Sequence, residues 1–321
     1  MENWKTTIRN KKIYQEYLTS CLSAHAETEK TTYKTYKENM KKFLEWLHQE
    51  DRNRYLLSED TLDKGTEIIE KYRNYLREIG NSKRTIMNKT TAISTFYDWA
   101  VRRRKIKYHP FKERLEKLKF TDKDKVRKSY FLSTEKILKV RFYMQVENKK
   151  FDILDRLLWE IFVDSACRIS AIQDLKISNL NLEKGYFSEV EEKEGYIVNA
   201  YFFEECKKIL KEWLKERERK GIDSGYLLVT RYKKKWNKMS QGAIRARVRK
   251  MGRIIGIEDL YPHSLRKTSV NLINNIGGIN MASKHANHKG LQVTNEHYIA
   301  QESAEEVRND LIKLRKKLGI F

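Results

Sequence analysis

The sequence predicts a mainly α-helical protein of two domains, a helical bundle followed by an α+β domain with a small β-hairpin. Its 321 residues include only two prolines and 13 glycines, which favours helices over strand-rich meanders. Apolar residues recur at helical spacing along most of the chain, whereas residues 185–203 alternate between apolar and polar side chains. With 40% hydrophobic residues at this length, each domain can bury a core of its own.

Residues 1–105 are predicted to form a bundle of about four short helices. Its apolar blocks are Tyr33–Leu47, Ile68–Ile79 and Ile86–Ala100. The third block follows glycine and asparagine, which end one helix, and then Ser82, which can cap the next. Lys83 and Arg84 at that helix start favour phosphate binding, although an ordinary capped surface helix can carry the same residues.

Residues 106–128 are predicted to link the domains, because they are rich in charge and contain few large apolar side chains. Arg102 and Arg103 begin a basic run just before them. Such a run is either a solvated face or a strap that closes around a duplex. We interpret both arginines as candidate DNA contacts.

The second predicted domain, residues 129–321, opens with Ser133 as the cap of a helix. Residues 154–163 form another apolar helix, which is expected to end near Arg168. Two alternating runs, Tyr186–Val190 and Tyr196–Phe202, surround a Glu-Gly turn and predict a β-hairpin. The rest of the chain is expected to be helical over 205–220, 241–251, 264–276 and an amphipathic C-terminal segment, 303–318.

The charge balance indicates a nucleic-acid partner. The chain has 67 Lys and Arg against 44 Asp and Glu, a formal net charge of +23 that is spread along the sequence. We expect no membrane association, because the sequence has no apolar run of transmembrane length, no signal peptide and no lipidation motif. Three scattered cysteines predict neither a disulfide framework nor a zinc cluster, so we expect a cytoplasmic, nucleoid-associated protein.

A cluster of histidines with an arginine and a tyrosine occupies the stretch from Tyr261 to Tyr298. Such groups can hold a phosphodiester, neutralise its oxygens and attack its phosphorus without a metal ion. A single arginine in an apolar helix, or a single His-x-x-Arg pair, is more often structural. The conjunction of an Arg-Ile-Ser box, a later His-x-x-Arg and a His followed by a Tyr is what indicates strand exchange on nucleic acid.

In these motifs the chain resembles the tyrosine recombinases, the integrase and Xer class of site-specific DNA recombinases. The resemblance covers nearly the whole chain and implies a helical core-binding domain over 1–105 before a catalytic domain over 129–321. The matching features are Ala166-Cys167-Arg168-Ile169-Ser170, Lys193 at the hairpin turn, His263-Ser264-Leu265-Arg266, Asn287-His288 and Tyr298.

The resemblance implies that Arg168 and Arg266 neutralise the non-bridging oxygens of the scissile phosphate, to which guanidinium groups can donate in pairs. Replacing either is expected to stop cleavage with the fold intact. Lys193 would protonate the 5′-oxygen that leaves. Other lysines of the hairpin region remain alternatives: Lys184, Lys207 and Lys208.

Tyr298 would attack the phosphorus and form a 3′-phosphotyrosine, so that no cofactor, metal ion or ATP is required. His263 would relay the tyrosine proton, and His288 would donate to a phosphate oxygen. Strand exchange through a four-way Holliday junction implies double-stranded DNA as the partner and a homotetramer on two DNA sites. The segment 303–321 is expected to connect neighbouring protomers.

Three positions depart from the family pattern. Ala171 stands where the family usually has an acidic residue, so the role of that carboxylate must be supplied otherwise. Lys267 follows His-x-x-Arg where many members have histidine, and it keeps a donor for DNA. The usual Leu-Gly-His is Ala286-Asn287-His288 here, and no catalytic group is removed.

Three other functions compete with recombination. Histidines 285, 288 and 297 can serve a metal-dependent nuclease, but thiol ligands are lacking and acidic ones are scarce. A type IB topoisomerase would use similar phosphotyrosine chemistry without exchanging partners, and a non-catalytic module would only bind nucleic acid. Arg245, Arg247 and Arg249 are candidate DNA contacts, although they can bind phosphate without reading sequence.

Overall fold

The computed structural model describes residues 3–23, 32–52, 54–121, 124, 129–192, 195–287 and 290–298. The chain divides into two compact units, Met1–Lys128 and Ser129–Phe321. Helices dominate both units, and the strands are short and antiparallel. The prediction of a mainly α-helical protein with a small amount of sheet is therefore confirmed.

The first unit is a helical bundle, and side-chain caps begin two of its helices. Thr7 Oγ1 accepts a hydrogen bond from the backbone N of Asn10 at 3.2 Å, and Ser82 Oγ accepts one from Thr85 N at 3.3 Å. The second of these is the cap predicted from the sequence. The helices are α1 (Ile8–Leu22), α2 (Lys34–Glu50), α3 (Glu59–Asp63), α4 (Gly65–Glu78) and α5 (Lys83–Arg102).

Aromatic side chains form the centre of this bundle. Tyr17 packs edge-on against Phe96 and Trp99, with ring centroids 5.7 and 5.5 Å apart. Edge-to-face pairs at such distances stabilise a core beyond the area that they bury. Because α5 carries two of these rings and contacts α1, α2 and α4, its exposed start at Lys83 and Arg84 is fixed to the core.

The predicted linker differs from the structure over its first part. Ile106 and Phe111 are buried in the core of the first unit, where Leu115 and Leu118 pack against them. Arg73 Nη1 also donates a 2.7 Å hydrogen bond to the carbonyl of residue 116. A few apolar side chains in a charged stretch are enough to attach it to a core, so residues 106–121 belong to the bundle and do not form a free linker.

The second unit combines helices with two small antiparallel sheets. Its strands are β1 (Leu180–Asn181), β2 (Tyr186–Glu191), β3 (Ile197–Tyr201), β4 (Val229–Tyr232) and β5 (Lys235–Lys238). Its helices are α6 (Thr134–Val146), α7 (Ile153–Ser165), α8 (Ile169–Gln173), α9 (Glu204–Arg219), α10 (Gln241–Gly252), α11 (Pro262–His285) and α12 (Leu291–Tyr298). Ser133 caps α6 as predicted, since its Oγ accepts from the N of residue 136 at 3.3 Å.

Helix α7 lies at the centre of this unit and contacts α6, α9, α10 and α11. It begins with a capping box in which Asp152 and Asp155 each accept the other's backbone N–H. It ends at Ala166, whose φ of 50° is in the left-handed region and turns the chain. This turn places Arg168 at the start of α8 and not within an apolar helix.

The predicted β-hairpin is confirmed. Strands β2 and β3 pair antiparallel, with Tyr186 opposite Tyr201 and Glu191 opposite Ile197. Gly195 has a φ of 75°, which suits the left-handed conformation of a tight turn. The turn therefore lies between residues 191 and 197, where the sequence placed it.

A second hairpin, formed by β4 and β5, contradicts the expectation that everything after the first hairpin is helical. Its turn residues Lys233 and Lys234 have φ values of 46° and 64°, although glycine and asparagine are the usual residues there. Its strands are also rich in charge, so they lack a strong alternation of apolar residues. Both signals on which a hairpin prediction depends are thus weak.

The range Pro262–His285 that is given as α11 consists of two helical segments, the first of which agrees closely with the predicted helix over 264–276. Gly278 separates the two segments with non-helical angles, a φ of 74° and a ψ of 172°. The predicted C-terminal segment 303–318 lies outside the described residues. Among the described helices, none has both the length and the apolar character needed to span a membrane.

Candidate active site

Arg168 is held at the N-terminus of α8 by a buried carboxylate. Its Nη1 donates a short hydrogen bond to Oε2 of Glu192, and its backbone N donates to Oε1 of Glu192 at 3.3 Å. About a third of the Arg168 side chain (34%) remains exposed, whereas only 2% of the Glu192 side chain is. One edge of the guanidinium is therefore available to a ligand.

Arg266 lies in the first turns of α11 and is almost completely buried, with 1% of its surface exposed. Its Nη2 donates to the carbonyl of Ala286 at 2.7 Å, and its Nη1 donates to the carbonyl of Ala166. The same Nη1 lies 3.4 Å from Oε1 of Glu192. Arg168, Glu192 and Arg266 thus form one cluster, which we call the arginine–glutamate cluster.

Tyr298, the last residue of α12, reaches this cluster. Its hydroxyl accepts a 3.3 Å hydrogen bond from Nε of Arg266, and its ring lies 5.3 Å from Cζ of the same guanidinium. The side chain is 6% exposed and packs with Ala282 and Ala286 in a small apolar cluster. The predicted nucleophile and one predicted arginine are therefore adjacent, although they are 32 positions apart in the sequence.

His263 completes the described part of the site. It lies three positions before Arg266 on α11, and side chains at this spacing share a helix face. Its ring centroid is 5.3 Å from that of Tyr298, at an interplanar angle of 72°. His263 is exposed, so its imidazole can exchange protons with solvent or with a bound ligand.

Glu192 is the residue of the site that sequence analysis missed. It ends the β2 side of the hairpin, 24 positions after Arg168, where no spacing rule points to it. The only signal was indirect: Ala171 replaces the usual acidic residue, and several glutamates surround the hairpin turn. Lys193 and His288, the remaining predicted catalytic residues, lie outside the described residues.

The predicted DNA contacts of the first unit are exposed cations. Lys83 Nζ lies 3.0 Å from a carboxylate oxygen of Asp124, and Arg84 lies over the ring of Phe120 at 4.9 Å. Arg103 donates a 2.8 Å hydrogen bond to the hydroxyl of residue 20, and Arg102 ends α5. Exposed pairs of this kind are weak, so a phosphate can replace them.

In the second unit the predicted DNA contacts differ in environment. Arg245 is exposed and donates only a 2.9 Å hydrogen bond to the amide oxygen of residue 241. Lys267 donates to the hydroxyl of residue 129 at 2.9 Å. Arg247, in contrast, donates to Asp152 at 2.7 and 2.9 Å and to Asp155 at 2.6 Å. Arg247 is thus engaged with the start of α7, and its role as a DNA contact stays a prediction.

His285, near the end of α11, is a half-buried neutral base beside the site. Its Nε2 lies 2.8 Å from Oγ of Ser269, which donates its own proton to the carbonyl of Val163 at 2.5 Å. Burial, and to a smaller extent the charge of Arg266, lowers the pKa of His285 to about 4. The imidazole is therefore uncharged at neutral pH in the folded protein.

We expect this histidine to make the second unit sensitive to mild acid. Its pKa in the unfolded chain is about 6.5, so the unfolded state takes up a proton first as the pH falls. The stabilisation is complete above about pH 6.5 and is lost toward pH 4, on the order of 1 kcal/mol by pH 5. Urea unfolding of the wild type and of His285→Gln checks this: the variant should lose less stability on acidification, and an equal loss in both proteins would contradict it.

A metal site is not found within the described ranges, where no three His, Cys, Asp or Glu side chains lie close enough to bind one ion. Two histidines on which the metal-dependent alternative depends, His288 and His297, have no described side chain. His285 is engaged with Ser269, as given above. The geometry of the described site consists of two guanidiniums, a carboxylate, an imidazole and a phenol.

Both units of the chain are similar to known proteins. A model of the phage integrase family matches residues 134–305, and a model of the phage integrase SAM-like domain matches residues 6–122. No curated protein matches the chain.

Three solved structures illustrate the likeness in fold. XerH site-specific recombinase bound to palindromic difH substrate is 18% identical, with 87% of this chain and 78% of that chain covered and a TM-score of 0.69. A lambda integrase dimer bound to a COC′ core site is 16% identical, with coverage of 91% and 98% and a TM-score of 0.63. The Tn1549 transposon integrase in complex with circular intermediate DNA is 17% identical, with coverage of 90% and 98% and a TM-score of 0.61.

The fold, the site and the family models now point to one conclusion. The catalytic family model alone spans more than half of the chain, and the SAM-like model covers nearly all of the helical bundle. The chain belongs to the phage integrase family of tyrosine recombinases.

Proposed function

We propose that the protein is a site-specific DNA recombinase that cuts and rejoins duplex DNA through a 3′-phosphotyrosine and a Holliday junction. The observation that carries this proposal is the contact of Tyr298 with Arg266 inside the arginine–glutamate cluster. A phenol beside two guanidiniums is suited to attack a phosphate whose charge those guanidiniums neutralise. The net charge of +23 and the likeness to recombinase–DNA complexes support duplex DNA as the partner.

In this proposal each group has one role in the transfer. Arg168 and Arg266 neutralise the non-bridging oxygens while the hydroxyl of Tyr298 attacks the phosphorus. The bond to the 5′-oxygen breaks, and Lys193 gives that oxygen its proton. His263, in ring contact with Tyr298, accepts the phenol proton, and His288 donates to a phosphate oxygen.

The burial of Tyr298 adds one requirement. With 6% of the side chain exposed, its hydroxyl is not open to a phosphate in this arrangement. We therefore propose that α12 shifts when DNA binds, so that the hydroxyl leaves Arg266 Nε and that donor turns to the phosphate. A homotetramer on two DNA sites would couple this shift to assembly, with residues 303–321 as the connecting segment.

A plasmid assay tests the proposed function. The substrate carries two copies of the DNA that flanks the protein's own gene, and the reaction contains excess chelator and no ATP. We expect junctions and recombinant circles, and neither should form on a matched plasmid with unrelated sequences in place of the two sites. Relaxation without exchange would indicate a topoisomerase. Cutting that occurs only in a parallel reaction without chelator would indicate a metal-dependent nuclease, and binding without cutting would indicate a non-catalytic module.

A further inference from the structure

We infer that Glu192 is the positioning residue that holds Arg168 and Arg266 in their working arrangement and ties them to the β2–β3 hairpin. This inference rests on the proposed function. It concerns a residue that neither the family motifs nor the sequence spacing point to, and it answers what replaces the carboxylate missing at Ala171.

The contacts of the Glu192 carboxylate are shared between the two arginines. Oε2 accepts from Nη1 of Arg168, while Oε1 lies 3.3 Å from the backbone N of Arg168 and 3.4 Å from Nη1 of Arg266. A buried carboxylate is stable only when it is paired and hydrogen-bonded. Glu192 meets this condition through the two arginines together.

Arg266 depends on the same carboxylate for its charge balance. Its other acceptors include the carbonyls of Ala166 and Ala286 and the hydroxyl of Tyr298, all of which are uncharged. A guanidinium that is 1% exposed is costly to bury without an opposite charge. Glu192 supplies an opposite charge at 3.4 Å, so it favours this position of the Arg266 side chain.

The backbone of Glu192 extends this link to the hairpin turn. Its N donates to the carbonyl of Tyr196 at 2.7 Å, and its carbonyl accepts from Gly195 N at 3.2 Å. The side chain is therefore attached to the arginines, while the main chain is bonded to Gly195 and Tyr196 at the other side of the turn. One residue sets the position of the hairpin relative to both guanidiniums.

Glu192 supports the arginines and does not occupy the place of the phosphate. Its side chain is 2% exposed and also accepts the Arg168 backbone N–H, so it belongs to the interior of the unit. Arg168, in contrast, keeps 34% of its side chain exposed. A phosphate can reach that exposed part without displacing Glu192.

The sequence departure at Ala171 fits this assignment. Ala171 lies on α8 three positions after Arg168 and is completely buried, so this position offers no carboxylate. Glu192 brings one to the same arginine from a different element, the end of β2. The support that the family usually takes from the helix is thus supplied here by the hairpin.

The test compares Glu192→Gln with Glu191→Gln, a matched control on the exposed neighbour. Both proteins are assayed in single turnover on the plasmid-derived site, as an ordinary phosphodiester and with sulfur as the 5′-leaving atom. Sulfur leaves without a general acid, so it relieves a defect in Lys193 but not one in the arginines. We expect Glu192→Gln to bind DNA like the wild type yet to cleave both substrates about 100-fold more slowly.

Each other outcome has a definite meaning. A rate within a few-fold of the control would contradict the inference, and a faster rate would show that Glu192 blocks the phosphate site. Full rescue by sulfur is the result expected for Lys193→Ala. If Glu192→Gln showed it, Glu192 would act through Lys193 alone, and the inference would also be wrong. If Glu192→Gln does not fold, Glu192→Asp, which keeps the charge, takes its place. Its cleavage rates on the ordinary and the sulfur-containing substrate then test the inference in the same way. Failure of the wild type itself to form an adduct would instead contradict the proposed function.

Discussion

Replacing Tyr298 with phenylalanine is expected to abolish the covalent protein–DNA adduct while DNA binding is preserved. The substitution removes the proposed nucleophilic oxygen, and loss of a nucleophile lowers the rate of covalent catalysis by at least about 1,000-fold. The ring keeps its packing against Ala282 and Ala286. The hydrogen bond from Arg266 Nε at 3.3 Å is lost, which costs about 1 kcal/mol and leaves the fold intact.

The measurement is the amount of adduct that survives detergent after incubation with the flanking DNA in excess chelator. Tyr143→Phe is the matched control, because it removes a phenol from the exposed face of α6 and is expected to form the normal amount. Gel-shift titration shows whether both variants still bind. A normal level of adduct in Tyr298→Phe would remove this tyrosine as the nucleophile, whatever the family motif implies.

The sequence predicted those elements whose signals are local. Ser82 and Ser133 cap the helices that they were expected to cap, because the preference of a hydroxyl for the first-turn amides needs no tertiary contact. The β2–β3 hairpin alternates clearly and has Gly195 at its turn. The β4–β5 hairpin has neither feature, so only the folded structure reveals it.

The difference between local signals and long-range contacts also explains which residues of the site the sequence predicted. His263 and Arg266 were grouped correctly because a three-residue spacing on a helix places side chains on one face. The contact of Arg266 with Tyr298 followed only from the family motif and is present in the structure. Glu192 escaped prediction because its contacts cross from the hairpin to α8 and α11, and such long-range pairs leave no periodic trace.

Arg168→Ala and Arg266→Ala should both reduce cleavage by about 1,000-fold, yet only the second should strongly destabilise the protein. About a third of the Arg168 side chain is exposed, so water can replace part of the interactions that are lost when it is removed. Either change leaves Glu192 with one guanidinium in place of two, but Arg266 is also buried, and its removal leaves the carbonyls of Ala166 and Ala286 without this donor. We expect a loss of about 3 kcal/mol for Arg266→Ala, whereas the sequence alone predicted an intact fold for both variants.

Urea unfolding and the adduct assay separate the two effects. Arg141→Ala is the matched control. Arg141 pairs at 2.7 Å with Glu160, a carboxylate that is as buried as Glu192 but has no proposed role in the reaction. Arg141→Ala should lower the free energy of unfolding, while the protein that remains folded forms the normal amount of adduct. Equal stability of the wild type and Arg266→Ala would contradict the charge argument.

The double variant Arg266→Ala/Glu192→Gln makes the argument specific to one pair. If the cost of Arg266→Ala comes partly from an under-paired carboxylate, neutralising Glu192 should return some of the lost stability, so the two changes should be less than additive. Cleavage should not return, because the phosphate still lacks its second guanidinium. Additive losses of stability would show that Arg266 is held by the carbonyls of Ala166 and Ala286 alone, and the arginine–glutamate cluster would then not be an energetic unit.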